Sequence, residues 1–245
     1  MRKDAIIKDD KCVEIYQSID YDYEKSFGKA EPSHAVRSLM FDEEIKAFLN
    51  EFPEGTIVNL GEGLETQRYR IKEDKAFWIS VDLPEAIEIR EQFIEPSQRH
   101  FHSPLSALDR SWFDLVPENQ PVFITAQGLF MYLHEEEVKA IIQDMLSSFK
   151  EGYLMFDAIP HWLSNKTMKG LKKTKDYITP KMPWGINRNE VNQIKKWSSN
   201  ITGLEEKPYE FPRGTQRWMF KTLLALPILK YYAPTVVKVK FKNID

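Results

Sequence analysis

The chain has 245 residues, of which 42% are hydrophobic and 29% charged, with a formal net charge of −3. These proportions belong to an ordinary globular protein rather than a disordered one, and the length suits one α/β domain with embellishments better than two. A net charge of −3 and a pI near 6.0 give no reason to expect nucleic acid, which needs a concentrated basic surface.

Cys12 is the single cysteine, so no internal disulfide or thiolate metal site can form, which suits a reducing cytoplasm. The opening MRKDAIIKDDK is too charged for a signal peptide. The longest apolar run, 223–229, is too short to span a bilayer. The expectation is a soluble, cytoplasmic protein without a metal, a nucleic-acid partner or a membrane.

The segment 8–29 is polar and aromatic, with Tyr16, Tyr21, Tyr23 and Phe27. It reads as part of an N-terminal extension (8–36) that packs on the domain without starting its sheet. Ile45, Phe48, Leu49 and Phe52 lie at helical spacing and predict a helix over 42–52, ended by Pro53-Glu54-Gly55. The period then changes. Thr56-Ile57-Val58-Asn59-Leu60 is a short β-branched run stopping at Gly61, the pattern of a buried parallel strand entering a tight turn. A second such strand covers 76–81 and is closed by Asp82; a helix follows over 85–94, with Pro84 suited to its first turn.

Another buried strand is predicted over 121–126. The clearest helix covers 135–150, where Val138, Ile141, Ile142, Met145, Leu146 and Phe149 form one apolar stripe. A strand over 153–157 comes next, and 161–188 reads as a lid insert whose basic run 166–175 is a solvated helix face or loop. The tail suggests a helix over 189–197, a longer one over 216–232 kinked at Pro227, and a terminal edge strand over 235–241. Strands alternating with helices imply a mostly parallel sheet covered on both faces, a Rossmann-like α/β fold with an antiparallel ending.

The first strand delivers Leu60-Gly61-Glu62-Gly63-Leu64 into a turn. Glycine allows the sharp bend there and the close approach of a ligand. Asp82, ending the second strand, stands where an acid can accept both hydroxyls of a ribose. The position of the third glycine in a dinucleotide fingerprint is Thr66, which disfavours a pyrophosphate. A nicotinamide oxidoreductase is therefore a poor reading, and a nucleoside cofactor with an amino-acid tail a better one.

The stretch 57–71 (IVNLGEGLETQRYRI) resembles the glycine-turn signature of the leucine carboxyl methyltransferase superfamily, nearest its polyketide-biosynthesis O-methyltransferase branch. Val81-Asp82-Leu83-Pro84, Ser106-Ala107-Leu108-Asp109-Arg110-Ser111-Trp112 and 125–138 (TAQGLFMYLHEEEV) resemble further blocks of that family in the same order. Arg37 followed by Phe41-Asp42, and the later Trp184-Gly185-Ile186, also match.

The resemblance implies a class I methyltransferase that uses S-adenosylmethionine to O-methylate a small molecule. It implies that Arg37 pairs with the carboxylate of the methionyl tail. The turn Leu60, Gly61, Glu62, Gly63 would approach that tail, Asp82 would hold the ribose, Leu83 would lie against the adenine, and Leu108 with Asp109 would border it. Gln127 stands where the family has Glu, so the charge expected near the cofactor's ammonium end is missing. Glu62 is the candidate replacement, and Gln127 raises the alternative of a cofactor-binding but inactive relative. Glu65 replaces the usual Asp.

In-line methyl transfer asks the protein mainly to align the groups. A carboxylate acceptor needs no base; a phenol does. The candidates are Tyr132, beside the transfer face, and His161, just past the strand exit Asp157-Ala158-Ile159-Pro160. His134 opens the helix over 135–150 and is read as interacting with its N-terminal turn; His34, His100 and His102 lie in segments without an assignment. Trp162, Met168, Tyr177, Met182 and Trp184 give the lid a surface suited to a flat or apolar molecule.

Overall fold

The computed structural model describes residues 5–243. Two short helices, α1 (Asp10–Ser18) and α2 (Tyr23–Phe27), precede a long α3 (Pro32–Glu51). There follow β1 (Thr56–Leu60), α4 (Gln67–Ile71), β2 (Phe77–Asp82), α5 (Pro84–Glu91), β3 (His100–Pro104), β4 (Val122–Ala126), α6 (Glu135–Ser148) and β5 (Glu151–Ala158). The chain closes with α7 (His161–Met168), β6 (Ile201–Pro208), α8 (Thr215–Ala225) and β7 (Thr235–Lys242). The strand order is β3-β2-β1-β4-β5-β7-β6. All pairings are parallel except those of β7, which runs antiparallel to β5 and β6.

Successive residues of the central strands enter two separate cores. Val58, Ile124, Phe156 and Val237 join α6 on one face, while Ile57, Phe123, Met155 and Val236 join α3 on the other. A pleated strand sends neighbouring side chains to opposite faces, so a strand covered on both sides must be apolar throughout. That is why these strands were readable. The order reverses between β1 and β4, and the carboxyl ends of strands at such a switch point are where α/β folds bind ligands.

Four expectations need correction. The helix predicted over 42–52 begins ten residues earlier, with Pro32 in its first turn. The strand over 235–241 is not an edge: β6 lies outside it. The expected helix over 189–197 is a 3-10 turn, Val191–Lys196. The helix over 216–232 stops at Ala225 instead of kinking, because Pro227 offers no N–H to continue it, and a 3-10 turn (Leu229–Tyr232) follows. Among the described residues no helix is long and apolar enough to cross a membrane.

Candidate active site

The glycine turn leaves β1 with Gly61 at φ +62° and Gly63 at φ +52°. The positive φ is what requires Gly61; a Cβ there would also press on a methyl of Leu129, 2.9 Å away. Asp82 ties the turn to β2: one carboxylate oxygen accepts from Gly63 N–H at 2.7 Å and the other from Leu83 N–H at 2.8 Å. Beneath the turn, Arg90 donates to the carbonyls of Gly63 (2.7 Å) and Glu65 (3.0 Å), and its guanidinium lies 3.1 Å from Glu62. Asn59 donates to Glu62 at 2.9 Å and accepts from Thr125 at 2.7 Å, linking the ends of β1 and β4.

The same layer contains His100, whose ring lies 3.0 Å from the Ser80 hydroxyl. Burial and the nearby Arg90 push its pKa from 6.5 down to about 3. The folded protein keeps this ring neutral, whereas the unfolded chain protonates it below about 6.5. Unfolding then takes up a proton, so stability should fall as pH drops from about 6.5 towards 3, by up to about 1.4 kcal/mol per pH unit. His100→Gln is expected to flatten that part of a thermal-melt pH profile; an unchanged profile would dismiss His100 as the source.

Two chambers open at the carboxyl ends of the strands. The smaller, about 120 Å³, is walled by the glycine turn with Asn59, Thr125, Glu65, Gln127 and Arg37. The larger, about 620 Å³, has an apolar wall that includes Met131, Ile159, Leu163 and Met182, with His34, Tyr132 and Asp157 among its polar residues. Arg37 and Gln127 line both, so the chambers meet there. Arg37 reaches the junction from α3 and donates to Asp157 at 2.7 Å; Asp157 also accepts from Gly128 N–H at 2.5 Å. The Arg37 Nε is buried with no partner among the described residues.

Of the residues expected to serve a cofactor, Arg37, Leu60, Gly61, Glu62 and Gln127 wall the smaller chamber. Gly63 and Asp82 belong to the turn beside it. Leu83 is exposed, Leu108 packs against the core, and Asp109 caps the following turn, accepting from Ser111 N–H at 2.9 Å. Hydrogen bonds from Ser111 hold the Asp109 pKa below its ordinary value. These three do not line either chamber.

Of the two candidate catalytic residues, Tyr132 lines the larger chamber and burial raises its pKa. His161 does not line it: its ring is exposed and sits 2.8 Å from Glu190. His34 takes the expected place of a histidine at the chamber, its pKa lowered by burial and by Arg37. Glu62 is turned towards Asn59 and Arg90, and burial raises its pKa. Asn59, Thr125 and Asp157 join the site without a prior role; each is a polar residue near the end of an otherwise apolar strand, which is a usable signal.

The sheet order, the antiparallel β7 and the glycine turn at the switch point define a class I methyltransferase fold. NodS, an N-methyltransferase from Bradyrhizobium japonicum WM9, has a solved structure similar to this one, with a TM-score of 0.56 at 10% identity, covering 87% of this chain and 98% of NodS. The leucine carboxyl methyltransferase family model matches residues 3–146, and the chain belongs to that family.

Among curated relatives it is 28% identical over 160 residues to the tetracenomycin polyketide synthesis O-methyltransferase TcmP of Streptomyces glaucescens, across 64% of this chain and 59% of TcmP. It is also 28% identical to the S-adenosyl-L-methionine-dependent methyltransferase dpfgK of Gibberella zeae, across 51% of this chain and 46% of dpfgK. The chain thus spans about half the length of these relatives.

Proposed function

We propose that the chain is an S-adenosylmethionine-dependent O-methyltransferase that modifies a carboxylate or a phenolic or enolic hydroxyl of a small molecule. The observation that carries this reading is the meeting of a small polar chamber and a large apolar one at Arg37 and Gln127. The unpartnered Arg37 Nε fits a carboxylate ligand. The open space in front of Gly63, where a Cβ would meet nothing, fits a closely approaching cofactor. When bound, the cofactor supplies an electrophilic sulfonium methyl. Arg37, the glycine turn and Gln127 would hold its amino-acid tail, Asp82 its ribose, and Leu83, Leu108 and Asp109 its adenine. Each Asp82 oxygen accepts one backbone N–H and retains accepting capacity. The relatives named for O-methylation and S-adenosylmethionine support the same assignment.

The larger chamber holds the acceptor. His34, kept neutral by burial, is the proton acceptor for a hydroxyl substrate, and this reading moves that role from His161 to His34. Tyr132 stays a protonated phenol and orients the acceptor by a hydrogen bond. The N-terminal extension and the segment 161–188 form the lid over this chamber, within a single domain. They are joined by Thr174 donating to the Ser26 carbonyl at 3.0 Å, by Lys173 with Glu31 at 2.8 Å, and by the Phe27 and Tyr177 rings at 4.7 Å. Such a lid excludes water from the transfer.

Calorimetric titration tests the cofactor. Saturable binding of S-adenosylmethionine and S-adenosylhomocysteine is expected, NAD should not bind, and Asp82→Ala should weaken both ligands by about 10- to 100-fold. Folded protein that binds neither would remove this assignment.

A further inference from the structure

Among the described residues, the charges around the smaller chamber do not balance. Arg37 is matched by Asp157, and Arg90 by Glu62. Among the described residues Arg70, in α4, is the one cation bonded to three carboxylates. It donates to Asp42 through Nε at 2.7 Å and Nη2 at 2.9 Å, to Asp9 at 2.6 Å and to Glu65 Oε1 at 2.5 Å. One guanidinium facing Asp9, Asp42 and Glu65 leaves an excess of negative charge in a nearly buried cluster, where it is poorly screened.

The excess has an outlet at Glu65. Its Oε1 faces Arg70, but its Oε2 accepts from neutral donors, the Ser38 hydroxyl at 3.1 Å and the Gln127 amide at 3.3 Å. Glu65 and Gln127 both wall the chamber. Gln127 Nε2 also donates to Ser38 at 3.1 Å, so the three groups form one small constellation. Glu62 is buried and its Oε2 has no hydrogen bond among the described residues. Arg37, on the other side of the chamber, presents the complementary positive charge.

We propose that Glu65 is the anionic receptor for the α-ammonium of the cofactor's amino-acid tail, with Gln127 and Ser38 positioning its Oε2 and Arg37 facing the tail's carboxylate. This rests on the cofactor reading above and adds the pair of charges that recognises a zwitterion. It also assigns the acidic role to Glu65 and not to Glu62, whose charge is matched by Arg90 and which Asn59 and Ser80 also contact.

The test compares S-adenosylhomocysteine, which carries the amino-acid tail, with 5′-methylthioadenosine, which lacks it. Glu65→Gln is expected to weaken S-adenosylhomocysteine by about 10- to 100-fold and to leave 5′-methylthioadenosine unchanged. Adding Gln127→Glu to that variant should restore tail binding, because the carboxylate returns to the other side of the same hydrogen bond. Gln127→Lys, which places an ammonium against Glu65 without touching its bond to Arg70, should show the same selective loss and covers the case in which Glu65→Gln does not fold. Wild-type protein that binds S-adenosylhomocysteine while Glu65→Gln or Gln127→Lys binds it equally well would overturn this assignment alone. Wild-type protein that binds neither ligand would overturn the cofactor reading and this one together.

Discussion

Arg90→Met is expected to destabilise the fold by about 3–5 kcal/mol, since it removes one partner of a buried ion pair and leaves the other in place. At about 2–4 °C per kcal/mol for a chain of this size, the thermal midpoint should fall by roughly 6–20 °C. Two effects add. The Glu62 carboxylate loses the guanidinium at 3.1 Å, and the carbonyls of Gly63 and Glu65 lose their donor beneath the turn. Burial already raises the Glu62 pKa, so the orphaned acid should take up a proton and the deficit should shrink at low pH. Combining Arg90→Met with Glu62→Leu removes both charges and should recover much of the loss, as replacing whole buried pairs by apolar groups often does. A melt of Arg90→Met within about 1 kcal/mol of wild type would show that the turn does not depend on this clamp.

The elements that could be read from sequence are those whose environment is simple. β1, β4 and β5 are buried on both faces, so an apolar run was their whole signature, and α6 packs one stripe against the sheet. The two strands that went unread, β3 and β6, are the edges of the sheet. His100-Phe101-His102-Ser103-Pro104 and Ile201-Thr202-Gly203-Leu204-Glu205-Glu206-Lys207-Pro208 carry histidine, glycine, proline and charge, as edges that must not pair with other chains do. β7 shows the opposite case. Its alternating pattern suggested an edge, yet Lys238 finds Glu44 at 2.6 Å and the Tyr153 ring at 4.7 Å, which lets a charged strand lie inside a sheet.

The site was partly legible for the same reason. Glycines and an aspartate at strand ends stand out against apolar runs, so the turn and Asp82 were found. The first three turns of α3 were not read as helix, because Ser33, His34, Arg37 and Ser38 interrupt the apolar stripe, and Arg37 stood out through the family resemblance alone. Three of them line the larger chamber, and Ser38 bonds Glu65 at the smaller. Local rules fail where residues serve a ligand in preference to the core. His161 misled in the other direction. Its place after β5 was right, but α7 begins there and points the ring at Glu190, away from the chamber. No sequence spacing reveals that rotation.

Arg37 is where structure and binding are hardest to separate, and a double variant separates them. Arg37→Leu should weaken S-adenosylhomocysteine by about 10- to 100-fold, the range of a charge-assisted hydrogen bond. It should also lower the melting temperature, because Asp157, nearly fully buried, keeps only the Gly128 N–H as a partner among the described residues. Adding Asp157→Asn removes the orphaned charge and leaves an acceptor for Gly128, so stability should return. Affinity should not return, because no guanidinium faces the junction of the chambers. If binding recovers together with the melt, Arg37 serves only to hold Asp157 and the tail's carboxylate is bound elsewhere. If the melt recovers and binding stays weak, Arg37 acts on the ligand directly. Arg37→Lys then asks whether charge alone suffices. A lysine supplies the charge without the planar fork, so its affinity should fall between those of wild type and Arg37→Leu.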